Sequence, residues 1–296
     1  IKPKVEKQDS QFVVIARRFV RHRLAVISLV LILLIFIASL LAPVITTFSR
    51  DAVDISAPTR PGPPGIAGSD GRIHILGIDN LGRDLFTRML YAARVSLSIA
   101  FSVVFLSEAI GVVIGALAGY YGGWIDTTLM RIAEFFQTLP RFVLALIVIA
   151  LFGASVTKMI LVIAVLSWPQ LARVVRATVA SLNQSQFVDA ARVAGMPPGA
   201  IIVREILPNV AAPIVVIGSL DIAAAILIEA SLSFFGLGDP NQVSWGAMLN
   251  DAQQYLRSAW WMSAFPGLGI ALTVLSFNLL GDALNDALNP RGEQAT

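Results

Sequence analysis

The stretch "LAVISLVLILLIFIASLLA", Leu24–Ala42, runs for 19 residues without a charge. A bilayer core about 30 Å thick takes roughly 20 helical residues, so this run is long enough to cross one. A secretory signal peptide has a shorter apolar stretch and a small-x-small cleavage site. Here Leu40 stands at the third position before Pro43, and the run is read as an uncleaved anchor. The rest of the chain agrees that lipid is its solvent. Of its 296 residues, 56% are hydrophobic and 14% charged, against about 25% charged in a soluble domain.

The same composition removes several function classes. There are no cysteines, hence no disulfide, thiolate metal site or Cys nucleophile. Two histidines, His22 and His74, leave little for a metal cluster or a His-based catalytic site, and no metal site is expected. The net charge of +3 does not indicate nucleic acid, because seven of the 22 basic residues fall in the first 23 positions. They form a basic tail ahead of a span. Within it Phe12, Ile15, Ala16, Phe19 and Val20 keep helical spacing while Arg17, Arg18 and Arg21 lie off that face. This suits a helix lying on lipid headgroups, with a short solvated helix as the alternative.

Further apolar stretches predict spans near 95–118, 127–152, 156–180, 208–235 and 258–286, six with the first. The expected fold is therefore all-α, with six transmembrane helices over 24–290 and external loops at 43–93 and 236–257. The first loop contains "APTRPGPPGIAG", too rich in Pro and Gly for regular structure. The 127–152 span is the weakest. Its charge-free part is only Phe142–Phe152, and Arg131, Glu134, Pro140 and Arg141 precede it, so it is expected to face a partner or a cavity. Pro169 is expected to kink the next span. The tail and the 181–207 loop, with Arg192 and Arg204, are assigned to the cytoplasm by the basic-residue rule. The 43–93 loop opposes that assignment with Arg50, Arg60, Arg72, Arg83 and Arg88, and the tail outweighs it.

The 181–207 loop uses about thirty residues where a few would join two spans. Ser185 stands where it caps a helix on which Phe187, Ala190, Ala191 and Ala194 share one face. Gly195 stops that helix, and Pro197–Pro198 open a second one carrying Ile201, Ile202 and Ile206 and ending before Pro208. The expected product is a helix–turn–helix whose single aromatic, Phe187, enters a groove on another protein. Asp189 and Arg192 either pair with charges on that partner or pair locally.

"DAARVAGMPPGAIIVREILPN" (189–209) resembles the EAA loop of ABC importer permeases: Ala190, Ala191, Gly195, Ile206, Leu207 and Pro208 fit its pattern, with Asp189 in place of Glu. "ILGIDNLGRDLFTRMLYAARVSL" (75–97), "GYYGGWIDTTLMRIAEFFQTLP" (119–140) and "LLGDALNDALNPR" (279–291) resemble the dipeptide/oligopeptide/nickel, DppC/OppC-like subfamily. In the last stretch Ala283, Asn285 and Asn289 depart from the subfamily pattern. The resemblance implies a type I importer permease fold and half of a translocation channel in a bacterial or archaeal inner membrane, with both termini cytoplasmic. It also implies a homologous second permease, one or two ABC ATPase subunits seated on the EAA helix, and an extracytoplasmic binding protein that delivers substrate. ATP and magnesium belong to those partners, and no cofactor is expected in this chain. The sequence agrees in lacking a G-x-x-x-x-G-K-[ST] loop. Peptides are the expected substrate, with nickel chelates, glutathione and oligosaccharides as alternatives.

Ionisable residues within spans mark pathways or helix contacts. Asp221 and Glu229, eight apart, are read as a polar lining, together with Asn278 and Asp282 one turn apart, while Glu108 is read as helix glue. Asp79, Arg83 and Asp84 in "GIDNLGRDL", with Trp245, are read as an outer gate or binding-protein dock, the alternatives being a stabilised turn and an interfacial aromatic. An ion-coupled transporter using Asp221 and Glu229 is the rival function. An intramembrane enzyme fares worse, since neither H-E-x-x-H nor G-x-S-x-G occurs.

Overall fold

The computed structural model describes residues 19–20, 22–54 and 61–288. Most of the basic tail, and Asn289 of the last motif, lie outside the described residues.

Helix α1 (Arg23–Leu40) starts where His22 Nδ1 accepts the Ala25 amide at 3.3 Å. Its buried positions, Ala25, Ser28, Ile32 and Ser39, are mostly small and form one stripe, against which α2 and α9 pack. Close backbone approach drives helix association where lipid supplies no hydrophobic force. Helix α2 (Leu85–Tyr121) has 37 residues, about 55 Å of helix. It begins ten residues earlier than the expected span, because Asp84 caps it: Asp84 Oδ2 accepts the Thr87 amide at 2.7 Å. The loop before it therefore ends at Asp84, not Ala93. It also holds a short antiparallel pair, β1 (Ile66–Ala67) with β2 (Ile73–His74), inside a region expected to lack regular structure. The Pro/Gly run sets tight turns there, and β2 is held by the buried contact between His74 Nδ1 and Asp84 Oδ1, 2.8 Å.

The span expected at 127–152 is two helices, α3 (Gly123–Thr138) and α4 (Arg141–Phe152), bent by 81° at Leu139–Pro140. Pro140 has no amide to continue the ladder. Its predecessor Leu139 adopts the extended backbone that proline imposes (φ −79°, ψ 133°). By contrast α5 (Val156–Leu182) runs through Pro169 as one helix, and Pro169 is buried among its neighbours. Helices α6 (Gln186–Val193), α7 (Leu207–Leu232), α8 (Trp245–Ala252) and α9 (Trp261–Leu288) follow. Among the described residues five helices are long and apolar enough to cross a membrane, and the bent α3–α4 pair makes a sixth.

Helices α2 and α5 approach closely, and glycines at a spacing of four permit it. A Cβ built on Gly111 would lie 2.9 Å from the Trp168 carbonyl oxygen, on Gly115 2.5 Å from that of Ala172, and on Gly119 2.6 Å from that of Arg176. Helix α7 packs on α9, α2 and α5. The two extramembrane layers lie at opposite ends of α2. Residues 61–84 and α8 gather at its start, and the α5–α6 connection gathers at its finish, where Asn183 Nδ2 donates to the Tyr120 carbonyl at 3.0 Å.

Candidate coupling surface and charged span sites

Helix α6 is short, and its ends are set by local chemistry. Ser185 has the extended N-cap backbone, but its hydroxyl donates back to the Leu182 carbonyl, so the expected side-chain cap is not made. The C-terminus follows the expected signal. Gly195 sits at φ +80°, its amide reaches the Arg192 carbonyl at 3.0 Å, and the Met196 amide reaches the Ala191 carbonyl at 3.1 Å. That pair of bonds is the left-handed glycine stop of a helix. Met196 packs on the cluster holding Ala191, as the motif favours.

Phe187, Ala190 and Ala194 are exposed together, and Phe187 is 41% exposed. Ala191, expected on that face, turns inward beside the fully buried Val188, because it falls at the edge of the stripe. Asp189 and Arg192 take the local alternative: Arg192 Nη1 donates to Asp189 Oδ1 at 2.7 Å. Arg192 also donates to the Asn183 carbonyl at 3.2 Å and lies 5.9 Å from the Tyr120 ring centroid. Arg176 Nε donates to Asp126 Oδ1 at 2.9 Å, binding α5 to the start of α3. Helix α6 is thus fixed to the ends of α2 and α5, with an aromatic ring held outward.

Ile201, Ile202 and Ile206 are buried with Val175, Val179 and Val188. They do not belong to a separate second helix ending before Pro208. The chain runs from Pro198 through a wide turn at Ile201–Ile206 into α7 without a break. The Leu207 amide bonds to the Ile202 carbonyl, five residues back. Such widening absorbs the missing amide and ring bulk of Pro208, and Pro208 itself is exposed in the first turn of α7.

At the other end, Asp79 is 2% exposed and fully engaged. Its Oδ1 accepts the amides of Leu81 and Arg83, each at 2.9 Å, and its Oδ2 accepts Arg83 Nε at 2.7 Å. Arg83 and Arg88 reach Asp251 of α8 at 3.5 and 3.7 Å. Burial pushes the Asp251 carboxyl above its ordinary range, and Arg88 and Arg83 oppose that shift. Trp245 is 2% exposed and donates from Nε1 to the Met89 carbonyl at 3.2 Å. Asp79, Asp84 and Trp245 are buried, and their hydrogen bonds hold the outer layer together. Two adjoining cavities open beside them and share Arg50, Asp239 and Gln242. One, of about 340 Å³, is lined by Arg83, Arg88 and Asp251. The other, of about 460 Å³, is lined by Tyr91, Arg94, Ser98 and Ser102.

Within the spans the expected pair separates. Glu229 is fully buried; it accepts Ser96 Oγ of α2 at 3.0 Å and Ser233 Oγ at 2.8 Å. That is a hydrogen-bonded helix contact, not a lining. Asp221 is half-buried, Asn278 half-buried and Asp282 exposed. Glu108, read as glue, has Oε1 buried without a hydrogen-bond partner. No group of three or more His, Cys, Asp or Glu suited to a metal ion occurs among the described residues.

A bundle of apolar helices with an outward-held helix at one end and polar cavities at the other is the build of a multi-pass membrane permease. The chain belongs to the family described as "Binding-protein-dependent transport system inner membrane component", which it matches over residues 111–294, while residues 10–64 match the N-terminal TM domain of oligopeptide transport permease C. It is 41% identical to a putative peptide transport system permease protein of Brucella abortus over 95% of this chain and 93% of that one. It is 39% identical to the dipeptide transport system permease protein DppC of Alkalihalophilus pseudofirmus, over 92% and 87%. It is 38% identical to the glutathione transport system permease protein GsiD of Pectobacterium atrosepticum, over 93% and 89%. The protein is a permease subunit of an ABC importer, and ATP is hydrolysed by a separate subunit. This membership supports ATP-driven transport and not the ion-coupled alternative.

Proposed function

We propose that this chain forms half of the translocation pathway of a peptide importer and receives the force of ATP binding through α6. The observation that carries this is the exposed Phe187 on a helix locked to the ends of α2 and α5. A push on Phe187 is transmitted to two spans rather than absorbed in a loop. Phe187, Asp189, Ala190, Ala191, Arg192, Gly195, Ile206 and Pro208 make up this unit: Phe187 and Ala190 touch the ATPase, Ala191 and Ile206 seat the helix, and the others fix its angle. Peptide is the substrate class carried by the names of the Brucella and Alkalihalophilus relatives, and glutathione, itself a peptide, falls within it. The partners are a homologous second permease, one or two ATPases and a binding protein that meets the α8 end. In this reading α6 and both chain termini face the cytoplasm. The path runs past Asp221, Asn278 and Asp282.

The test is ATP-dependent peptide uptake in proteoliposomes containing the two permeases, the ATPases and the binding protein. Phe187→Asp is expected to abolish uptake and ATPase co-purification while helical content and thermal unfolding of the permease stay at wild-type values. Uptake that survives this change, or follows a proton or sodium gradient, refutes the coupling role.

A further inference from the structure

The larger of the two outer cavities, about 460 Å³, has one wall made by a polar stripe of α2. Tyr91, Arg94, Ser98 and Ser102 recur at three- and four-residue spacing and so share one side of that helix. Arg94 stands just before the charge-free run that opens at Val95. Ser98 and Ser102 carry the stripe about 12 Å further along the helix. Thr157, in the first turn of α5, lines the same cavity, and Val95, Val156 and Ile160 give it an apolar side. Among the described residues the hydroxyls of Tyr91, Ser102 and Thr157 donate no hydrogen bond. Polar groups on a span are costly against lipid and are kept where they face a cavity.

The charges around the two adjoining cavities are engaged, save one. Arg50 donates to Asp51 from Nε and Nη2 at 3.0 and 2.9 Å. Asp239 accepts the Asn241 amide at 2.9 Å and the Val156 amide at 3.3 Å. In the smaller cavity Arg83 and Arg88 face Asp79 and Asp251. Arg94 alone among these lining charges has neither an ion pair nor a side-chain hydrogen bond within the described residues. Its guanidinium is exposed in a cavity whose one carboxylate besides Asp51's neighbourhood, that of Asp239, is held by backbone amides. An arginine that only anchors a helix end reaches the lipid headgroups and needs no hydroxyls below it. A free guanidinium above a hydroxyl stripe and beside an apolar wall fits a small molecule that carries a carboxylate, which arginine grips with two parallel bonds.

We propose that Arg94 takes the carboxylate of the incoming peptide, with the hydroxyls of Ser102 and Thr157 on its polar backbone and Val156 and Ile160 against a side chain. The cavity is then the first holding point after the binding protein lets its cargo go. This rests on the peptide-importer reading, in which this end of the bundle meets the binding protein, and adds to it the group that receives the substrate.

The test is uptake of a radiolabelled dipeptide and of its C-terminal amide by proteoliposomes holding the full transporter, each at a concentration that saturates the binding protein. Arg94→Gln is expected to lower uptake of the free-carboxylate dipeptide about tenfold, without lowering uptake of the amide or the ATPase activity that the binding protein stimulates. Arg94→Lys, which keeps the charge but not the paired bonds, is expected to lose less. An equal loss for the dipeptide and its amide overturns the proposal and assigns Arg94 to assembly or to lipid headgroups. Unchanged uptake of both overturns it as well. A wild-type transporter that carries neither compound refutes the peptide reading itself, and the proposal falls with it.

Discussion

Gly115→Ala tests the geometry on which the coupling argument rests. The added methyl would lie 2.5 Å from the Ala172 carbonyl oxygen, 2.8 Å from Val175 Cβ and 3.0 Å from Val175 Cγ1. The nearest of these is backbone, which no rotamer change can move aside. Restoring ordinary contact requires α2 and α5 to part locally by about 0.9 Å. Separation of that size also weakens the packing at Gly111 and Gly119, one turn to each side. Overpacking of a dense interface costs about 1–3 kcal/mol, offset in part because alanine suits a helix better than glycine. The assay is the apparent unfolding temperature of the purified permease, followed by circular dichroism at fixed detergent and heating rate, beside Gly267→Ala. At Gly267, also within a helix, an added Cβ has nothing within 4 Å, and alanine there should leave the transition unchanged or raise it. Gly115→Ala unfolding with the wild type, or Gly267→Ala falling as far as Gly115→Ala, would refute the claim that these glycines set the α2–α5 distance.

Gly195→Ala places a Cβ on a residue at φ +80°, costing about 1–2 kcal/mol; coupled uptake should fall while the main unfolding transition of the spans stays put. Glu229→Ala leaves the Ser96 and Ser233 hydroxyls without their acceptor and opens a void, a loss of about 2–4 kcal/mol, measurable as a lower unfolding temperature, and Glu229→Gln should recover part of it. Asp84→Ala removes the α2 cap and the buried partner of His74 together; a loss of about 2 kcal/mol is expected, with faster proteolysis of the 61–84 layer as the local readout.

What could be read from the sequence was whatever depends on neighbours in the chain. The charge-free run of α1, the positive-φ stop at Gly195 and the buried face of Ile201, Ile202 and Ile206 each follow from a few adjacent residues. The spacing of four at Gly111, Gly115 and Gly119 is a close-approach signal that the sequence reading missed, and nothing in it names α5 as the partner. The errors have one source. Hydropathy sums composition across Pro140 without direction, so the span expected at 127–152 carries no sign of the 81° turn of the backbone. Pro208 was read as a helix stop because a proline removes an amide; whether a wide turn absorbs that loss depends on what packs around Ile201–Ile206. Asp221 and Glu229 share a face by spacing, but Ser96, 133 residues from Glu229, satisfies only the second. Trp245 and Asp79 are buried, which their place in external loops does not reveal. Local sequence thus determined which segments enter lipid and where α6 stops. Only the tertiary structure decided which charges are satisfied, because a hydrogen-bond partner from a distant helix leaves no mark in the local pattern.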